Sequence, residues 1–533
     1  MSKNFKFLWP LLVAIVFGAG IYIGTLFITK DTIQVTESQT DSKISTILNI
    51  IDHKYVDTVD YQDLLESSID GMIKKLDPHS QYIPPKDLSL VNEQLDGQFG
   101  GIGIRFLIHD DTLVVTHVLT PSPSQSAGLL PGDRIISVDD SVLVDMKLSN
   151  QTVMTLLKGK PNTNVLLSVY RAGKILPIKI ERGIIAVNSI DANLMLTKEI
   201  GFIKLSSFTN HAGREFVTAA RELKAQGMTK LIFDLRNNGG GFLDAAEVII
   251  DQFLGADKLI VYTEGRRTGR VNYVSTKRGI LQDVELIILV NSLSASASEI
   301  VAGAIQDNDR GLILGRRTFG KGLVQDQQEF SDGSALRLTI SRYYTPTGRS
   351  IQKPYGEGVD YENDYYNRIK SGELFEADSV KFNDSLKYTT PKGRVVYGGG
   401  GIFPDVFVPN DTMGASYYLT SLYYGSAFNQ WVFGYLDGKR DKWNDFDAFN
   451  NGFILSNVLF DDFIDYAASH LKIEKRPQDI LHSKSIIRNR LKAEIARHLF
   501  EENGYYQIYL EDDLDVQTAI ESFSKKDLIG YLK

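Results

Sequence analysis

Apolar and polar positions along the chain fall into stretches of different period. Phe7 to Ile28 is apolar throughout, 22 residues without a charge, with Lys3 and Lys6 before it and Lys30 and Asp31 after. A helix of that length rises about 33 Å, enough for a hydrocarbon core of about 30 Å. A cleaved signal has a shorter apolar core of about 7–15 residues and ends at small residues, and no such site follows Ile28. The run therefore predicts a membrane anchor over residues 1–30, with a cleaved signal as the alternative. Its leading lysines put the rest of the chain on the extracytoplasmic side, the periplasm in a double-membrane bacterium. Residues 31–43 are polar and predict a tether. Ile44, Ile47, Leu48 and Ile51, then Leu64, Leu65, Ile69 and Ile73, keep helical spacing and predict two short helices, stopped by Asp77-Pro78-His79-Ser80. Tether and helices together make a region over 31–94.

The period then changes. Residues 95–182 read as a small strand-rich module: Gly100 to Ile104 leads into one strand, Leu113 to Val118 and Gly132 to Val138 give two more, and Val165–Tyr170 with Ile175–Ile180 form a hairpin across Arg171-Ala172-Gly173. From 183 onward strands and helices alternate. Lys230–Leu235 and Glu285–Val290 are continuous apolar runs, as in strands buried on both faces. Ala212–Ala225, ended near Gly227, and Leu243–Leu254 are helical between them, so a layered α/β domain is expected. Residues 351–408 are rich in tyrosine and charge and turn on Gly398–Gly401. Residues 409–533 look mostly helical and carry no chemical motif.

Composition narrows the functions open to such a chain. Its 533 residues fit three or four modules. With 58 basic and 66 acidic residues the net charge is −8, which argues against a nucleic-acid binder. The absence of cysteine removes disulfides, thiol nucleophiles and cysteine metal sites together, and the eight histidines show no metal-ligand spacing. No metal or organic cofactor is expected.

Three segments can carry chemistry. Asn291 to Ile300 runs from a buried strand into a helix, and a serine at that junction lies beside the free N–H groups of the first helical turn, where an oxyanion would form. Taken alone, Ser294 or Ser296 reads equally as an N-cap. Lys321 stands between Gly320 and Gly322, close to Phe319 and Leu323, where its ammonium can be desolvated. Lowering a lysine pKa by about 3 units takes about 4 kcal/mol, and the neutral amine can then take a serine proton. Gly315-x4-Gly320-Lys321 imitates a phosphate loop, but Gly322 replaces the hydroxyl residue and a strand follows instead of a helix, so nucleotide binding is excluded. Asp234 to Gly241 ends in three glycines before a helix and can supply a second oxyanion donor. His79 reads as a turn residue rather than a base.

In order along residues 44–408, Tyr55-Val56-Asp57, Leu76-Asp77-Pro78-His79-Ser80, Phe99-Gly100-Gly101-Ile102-Gly103-Ile104, Gly132-Asp133-Arg134-Ile135, Asp234-Leu235-Arg236-Asn237-Asn238, Ser294 to Glu299, Gly320-Lys321-Gly322 and Gly400-Gly401-Ile402-x-Pro404-Asp405 resemble the carboxyl-terminal processing proteases. In that family the nucleophile lies 25 residues before the base lysine and a glutamine four residues after it, which matches Ser296, Lys321 and Gln325. The resemblance implies an oxyanion hole from the backbone N–H of Ala297 and one in the glycine turn, assigned to Gly240; Gly239 stands where the family often has proline. It also implies a PDZ domain over 95–182, with Gly101, Ile102, Gly103 and Ile104 cradling a terminal carboxylate. For residues 183–408 it implies a crotonase/ClpP-like α/β core, followed by a helical extension over 409–533.

The expected function is that of a membrane-anchored serine endopeptidase. It would act on proteins recognised by apolar C-terminal tails, with a homo-oligomeric state left open. A catalytically inactive PDZ scaffold is the alternative.

Overall fold

The computed structural model describes residues 39–109, 111–143, 148–380 and 382–525. The apolar run at residues 7–28 and most of the tether lie outside them. Among the described residues no helix is long and apolar enough to cross a membrane. The chain divides into two compact units between Lys75 and Leu76. The first contains the two expected helices, Gln39–Lys54 and Tyr61–Ile73. The helix Tyr61–Ile73 starts where it does because Asp60 accepts the N–H groups of Gln62 and Asp63, two donors that the helix itself leaves unpaired.

In the second unit a six-stranded sheet forms the catalytic body. Its order is Ile190–Met195, Ile200–Leu205, Lys230–Asp234, Glu285–Val290, Leu312–Gly315 and Val406–Phe407, parallel except for the first pair. Side chains alternate between its faces. Ile203, Leu231, Phe233, Leu286 and Ile288 point to the helices Ala212–Ala225, Leu243–Asp251 and Ala297–Asp307. Phe202, Ile232, Ile287, Leu289 and Leu314 point the other way and pack on Leu510, Val516, Ala519 and Phe523. The continuous apolar runs thus need a second cover, and the end of the chain supplies it. The helix Leu514–Ser522 belongs by packing to the catalytic core. The rest of the extension has its own core around Tyr418, Trp431, Phe449, Phe463 and Leu491.

A second sheet, antiparallel, joins Gln81–Ile83 to Ala335–Tyr344, which also pairs with Leu259–Gly265 and Leu323–Glu329. The segment after Asp77-Pro78-His79-Ser80 is therefore a strand of the catalytic body, followed by a helix, Pro85–Asp96, that the sequence pattern did not suggest.

The strand-rich module forms as expected. Its sheet runs Ile104–His109, Thr112–Val118, Arg134–Val138, Asn164–Arg171, Lys174–Glu181, and the helix Asn150–Leu157 lays Val153 and Leu157 on its core. Gln98–Gly101 pairs with Gly183–Ala186 where the chain enters and leaves. The outer face of its first two strands meets the extension: Arg105 Nη1 lies 2.6 Å from Glu502 Oε1, and the His117 and His498 rings are 5.3 Å apart.

The docking of the last helix centres on Asp515. It is 5% exposed and accepts from Arg316 Nη1 and Nη2 at 2.8 and 2.9 Å and from Arg236 Nη1 at 2.8 Å. Arg236 lies within one motif segment and Arg316 four residues before another. Removing one member of a buried ion network leaves the others charged and unpaired, which costs about 3–5 kcal/mol. Asp515→Ala is therefore expected to lower unfolding free energy by about 3 kcal/mol in urea titration, whereas a change below about 0.5 kcal/mol would show that the helix docks without this network.

Candidate active site

Three serines lie close together at the start of the helix Ala297–Asp307, and their surroundings separate them. Ser294 Oγ is buried, donates to the Leu235 carbonyl at 2.8 Å and accepts from Asn291 N at 3.0 Å. Ser298 Oγ is buried and donates to the Asn238 carbonyl at 2.9 Å. Ser296 is half-buried; unlike those of Ser294 and Ser298 its hydroxyl is not spent on a carbonyl, and it sits over the first helical turn in a capping box with Glu299. Its backbone has φ 55° and ψ −114°, a region that a side chain rarely adopts without support. That sharp turn from strand to helix projects the hydroxyl outward.

The support is a buried carboxylate. Glu299 is 0% exposed, and its Oε2 accepts the backbone N–H of Ser296 at 2.9 Å and of Lys321 at 2.8 Å. Its Oε1 accepts the Gly320 N–H at 2.7 Å and the Thr318 hydroxyl. Burial pushes this carboxyl up to about 7, while the four donors favour its ionised form. On the other side the Tyr343 hydroxyl, also buried, donates to the Lys321 carbonyl and lies 3.1 Å from the Ser296 carbonyl. One carboxylate and one phenol therefore grip the same two residues, the carboxylate by their N–H groups and the phenol by their carbonyls. Sequence pattern assigned a role to neither residue. A signal for Glu299 was present, since it is the acid three positions after Ser296, the spacing at which a side chain reaches back to an N-cap amide. Tyr343 gives no such local signal.

Lys321 Nζ donates to Gln325 Oε1 at 3.0 Å, and Gln325 Nε2 donates to the His79 carbonyl. The structure thus brings Lys321 and Gln325 together, but no hydrogen bond joins Lys321 to Ser296 Oγ in this conformation. Burial, and then the Arg337 guanidinium, hold the Lys321 ammonium below the usual lysine range; Glu299 and Asp77 work against them. His79 sits in a turn fixed by Asp77, whose Oδ1 accepts the His79 and Ser80 N–H groups at 2.9 Å each. Burial, with Lys321 nearby, pushes the His79 imidazole down to about 4. It is neutral at pH 7, and its Nε2 is 2.7 Å from the Tyr361 hydroxyl.

The glycine turn lies against Ser296. A Cβ on Gly240 would come within 2.7 Å of Ser296 Cβ and 3.0 Å of Ala297 N, so this backbone passes where only glycine fits. The Ala297 N–H heads the helix with no acceptor among the described residues. The Gly240 N–H differs from expectation: it is given to Asn238 Oδ1 at 2.9 Å and does not face the cleft. Asn238 fastens the whole turn, since its Nδ2 donates to the Leu205 carbonyl at 2.9 Å and its own carbonyl accepts the Ala295 N–H at 3.0 Å.

In the strand-rich module, Gly101 ends one strand and Ile104 begins another, Ile104–His109, which lies at the sheet edge. Between them the Ile102 carbonyl accepts Ser124 N at 2.9 Å and the Gly103 carbonyl accepts Leu119 N at 3.0 Å. Neither the Ile102 nor the Gly103 N–H has an acceptor among the described residues. Gly103 has φ +79°, and a Cβ there would meet Ser122 Cβ at 2.5 Å. No cluster of His, Cys, Asp or Glu that could hold a metal ion occurs among the described residues.

Parts of the chain match known protein families. The profile for peptidase family S41 matches residues 199–363, that for the PDZ domain residues 100–181, and that for the N-terminal domain of the activating protease CtpB residues 18–86. Residues 418–501 match a family of unknown function, DUF8443. A probable CtpA-like serine protease of Staphylococcus haemolyticus is 33% identical over 72% of this chain and 78% of its own length. A carboxy-terminal-processing protease of Bartonella bacilliformis is 35% identical over 63% of this chain and 80% of its own. Among solved structures, the photosystem II D1 C-terminal processing protease aligns over 70% of this chain and 95% of its own at 24% identity, with a TM-score of 0.36.

Glu299→Gln tests the grip on Ser296 and Lys321. An amide keeps one acceptor oxygen but turns an N–H toward donors, leaving buried amides unpaired. A loss of at least about tenfold in peptidase turnover is expected, alongside a lowered melting temperature. Full turnover in a stably folded Glu299→Gln would rule out a positioning role.

Proposed function

Because the chain belongs to peptidase family S41, among the carboxy-terminal-processing serine proteases, we propose that it cleaves polypeptides with Ser296 as nucleophile and Lys321 as general base. The observation that carries this reading is the shared Glu299 oxygen: it fixes the peptide units of Ser296 and Lys321 together and leaves both side chains free to work. Ser296 Oγ attacks the scissile carbonyl carbon and its proton passes to neutral Lys321 Nζ. The Ala297 N–H stabilises the oxyanion. The C–N bond then breaks, Lys321 returns the proton to the leaving amine, and the acyl group stays on Ser296. Water hydrolyses that ester by the same proton route. Gln325 holds the lysine through Oε1 and is itself aimed by the His79 carbonyl.

The strand-rich module suits recognition of substrate C-termini. An incoming tail would pair with the edge strand Ile104–His109 and give its carboxylate to the Ile102 and Gly103 N–H groups. The apolar run at residues 7–28 would anchor the enzyme with this machinery on the extracytoplasmic face.

Ser296→Ala is expected to abolish cleavage of an unfolded protein or a tailed peptide, and cleavage at the parent rate would overturn the assignment. Amidating the peptide's C-terminus should weaken its binding at least about tenfold if the module reads the carboxylate; equal binding by isothermal titration would refute that reading.

The base makes a signed pH prediction. Only neutral Lys321 accepts a proton, so kcat/KM rises with pH up to its lowered pKa. Removing the nearby cation in Arg337→Gln lets the protonated lysine persist to higher pH. The rising limb should move to higher pH and the rate at neutral pH should fall. A limb that stays in place would mean that Arg337 does not tune the base.

A further inference from the structure

The turn that carries Lys321 and the turn that steadies it belong to different segments. Gln325 takes the Lys321 ammonium and is itself aimed by the His79 carbonyl. The place of the amine therefore depends on Asp77 to Ser80 as well as on its own turn. The tyrosine- and charge-rich stretch after residue 351 reaches both. Its first residues are fastened to the lysine turn: Gln352 Oε1 accepts the Gly322 N–H at 2.8 Å, and the Lys353 N–H donates to the Gly320 carbonyl at 2.9 Å. Further along, the Arg368 guanidinium donates to the carbonyls of Thr318 at 2.8 Å and Phe319 at 3.2 Å.

Tyr361 lies between these attachments and is held by both its backbone and its ring. Lys353 Nζ donates to its carbonyl at 3.2 Å and stands 4.0 Å from its ring centre, and the Phe319 ring meets it edge-on at 6.2 Å. From that position the hydroxyl lies 2.7 Å from His79 Nε2, with the two rings edge to face and 5.6 Å apart. Burial raises the phenol pKa above the usual tyrosine range, and the imidazole is neutral at pH 7. The bond thus joins two uncharged groups at neutral pH. Asp77 and Thr339 fasten the backbone of the same turn to the strand Ala335–Tyr344. The phenol fastens its imidazole to the lysine side.

We propose that Tyr361 is a positioning residue for the general base: its hydroxyl holds the His79 imidazole, the His79 carbonyl aims Gln325, and Gln325 sets the place of the Lys321 amine. This role rests on the serine–lysine reading above. It gives the stretch after residue 351 a part in catalysis as a brace between two turns, with no reacting group of its own.

Tyr361→Phe deletes the hydroxyl and keeps the ring, and His79→Ala deletes the imidazole and keeps the carbonyl. In the full-length enzyme in detergent, each is expected to lower kcat for a tailed peptide at least about fivefold with KM within about twofold of the parent, because small displacements of a reacting group are costly. His79→Gln, whose amide can still reach the hydroxyl, should recover much of what His79→Ala loses. A double-mutant cycle reads the route of the effect. On a Gln325→Ala background, Tyr361→Phe should change kcat by less than about twofold, since the link through which it acts is gone. A loss caused by poorer folding would be equal on either background. Parent turnover in Tyr361→Phe, or an equal loss with and without Gln325, would overturn the positioning role alone. Cleavage that persists in Ser296→Ala would overturn the serine–lysine reading beneath it.

Discussion

The site depends on one buried carboxylate accepting four hydrogen bonds. Glu299 joins the turn that bears Ser296 to the turn that bears Lys321, which follow the neighbouring parallel strands Glu285–Val290 and Leu312–Gly315. A non-glycine residue at positive φ costs of order 1–3 kcal/mol and survives only where its surroundings over-determine it. Here the surroundings are Glu299 on the amide of Ser296 and Tyr343 against its carbonyl. Backbone position is therefore fixed at both residues, and Gln325 holds the Lys321 ammonium in turn.

The outer layer is arranged to protect that geometry. Asp234, fully buried and held down to about 2 against burial by Arg236 and Lys204, binds the Arg236 guanidinium and backbone N–H. Arg236 then reaches Asp513 and Asp515 at the end of the chain, and Asp515 also takes Arg316, five residues before Lys321. The glycine turn and the lysine turn are thus both tied to the helix that covers the back of the sheet. The same extension touches the strand-rich module through Arg105 and Glu502. It is a structural bridge between that module and the catalytic body.

Much of this was legible in the amino-acid sequence because its causes are local. The runs Lys230–Leu235 and Glu285–Val290 announce strands covered on both faces, and the spacing of Ser296, Lys321 and Gln325 is a property of the motif. The hairpin across Arg171-Ala172-Gly173 follows from period-two alternation around a turn. What was not legible depends on contacts between distant segments. Nothing near Leu514–Ser522 says that its apolar face completes a sheet whose strands begin more than three hundred residues earlier in the chain. The strands Ile190–Met195 and Leu259–Gly265 carry polar residues on one side and lose the continuous apolar signature. Tyr343 looks like any strand tyrosine until its hydroxyl is seen between two carbonyls. Gly240 shows the limit in the other direction. Its closeness to Ser296 was anticipated, but the direction of its N–H is set by the Asn238 side chain.

A charge conflict remains inside the site. A carboxylate beside a lysine stabilises the protonated amine, and Glu299 and Asp77 both act in that sense on Lys321, against the role proposed for its neutral form. The protein needs Glu299 as an acceptor for backbone amides and so cannot dispense with its charge. Four donors draw that charge into short local bonds, burial pushes the carboxyl up to about 7, and Arg337 opposes its field from another strand. The lysine's own loss of hydration acts on it more strongly than any of these neighbours. The lowering of the lysine pKa thus comes mainly from exclusion of water from the ammonium, with Arg337 adding to it and the carboxylates opposing it.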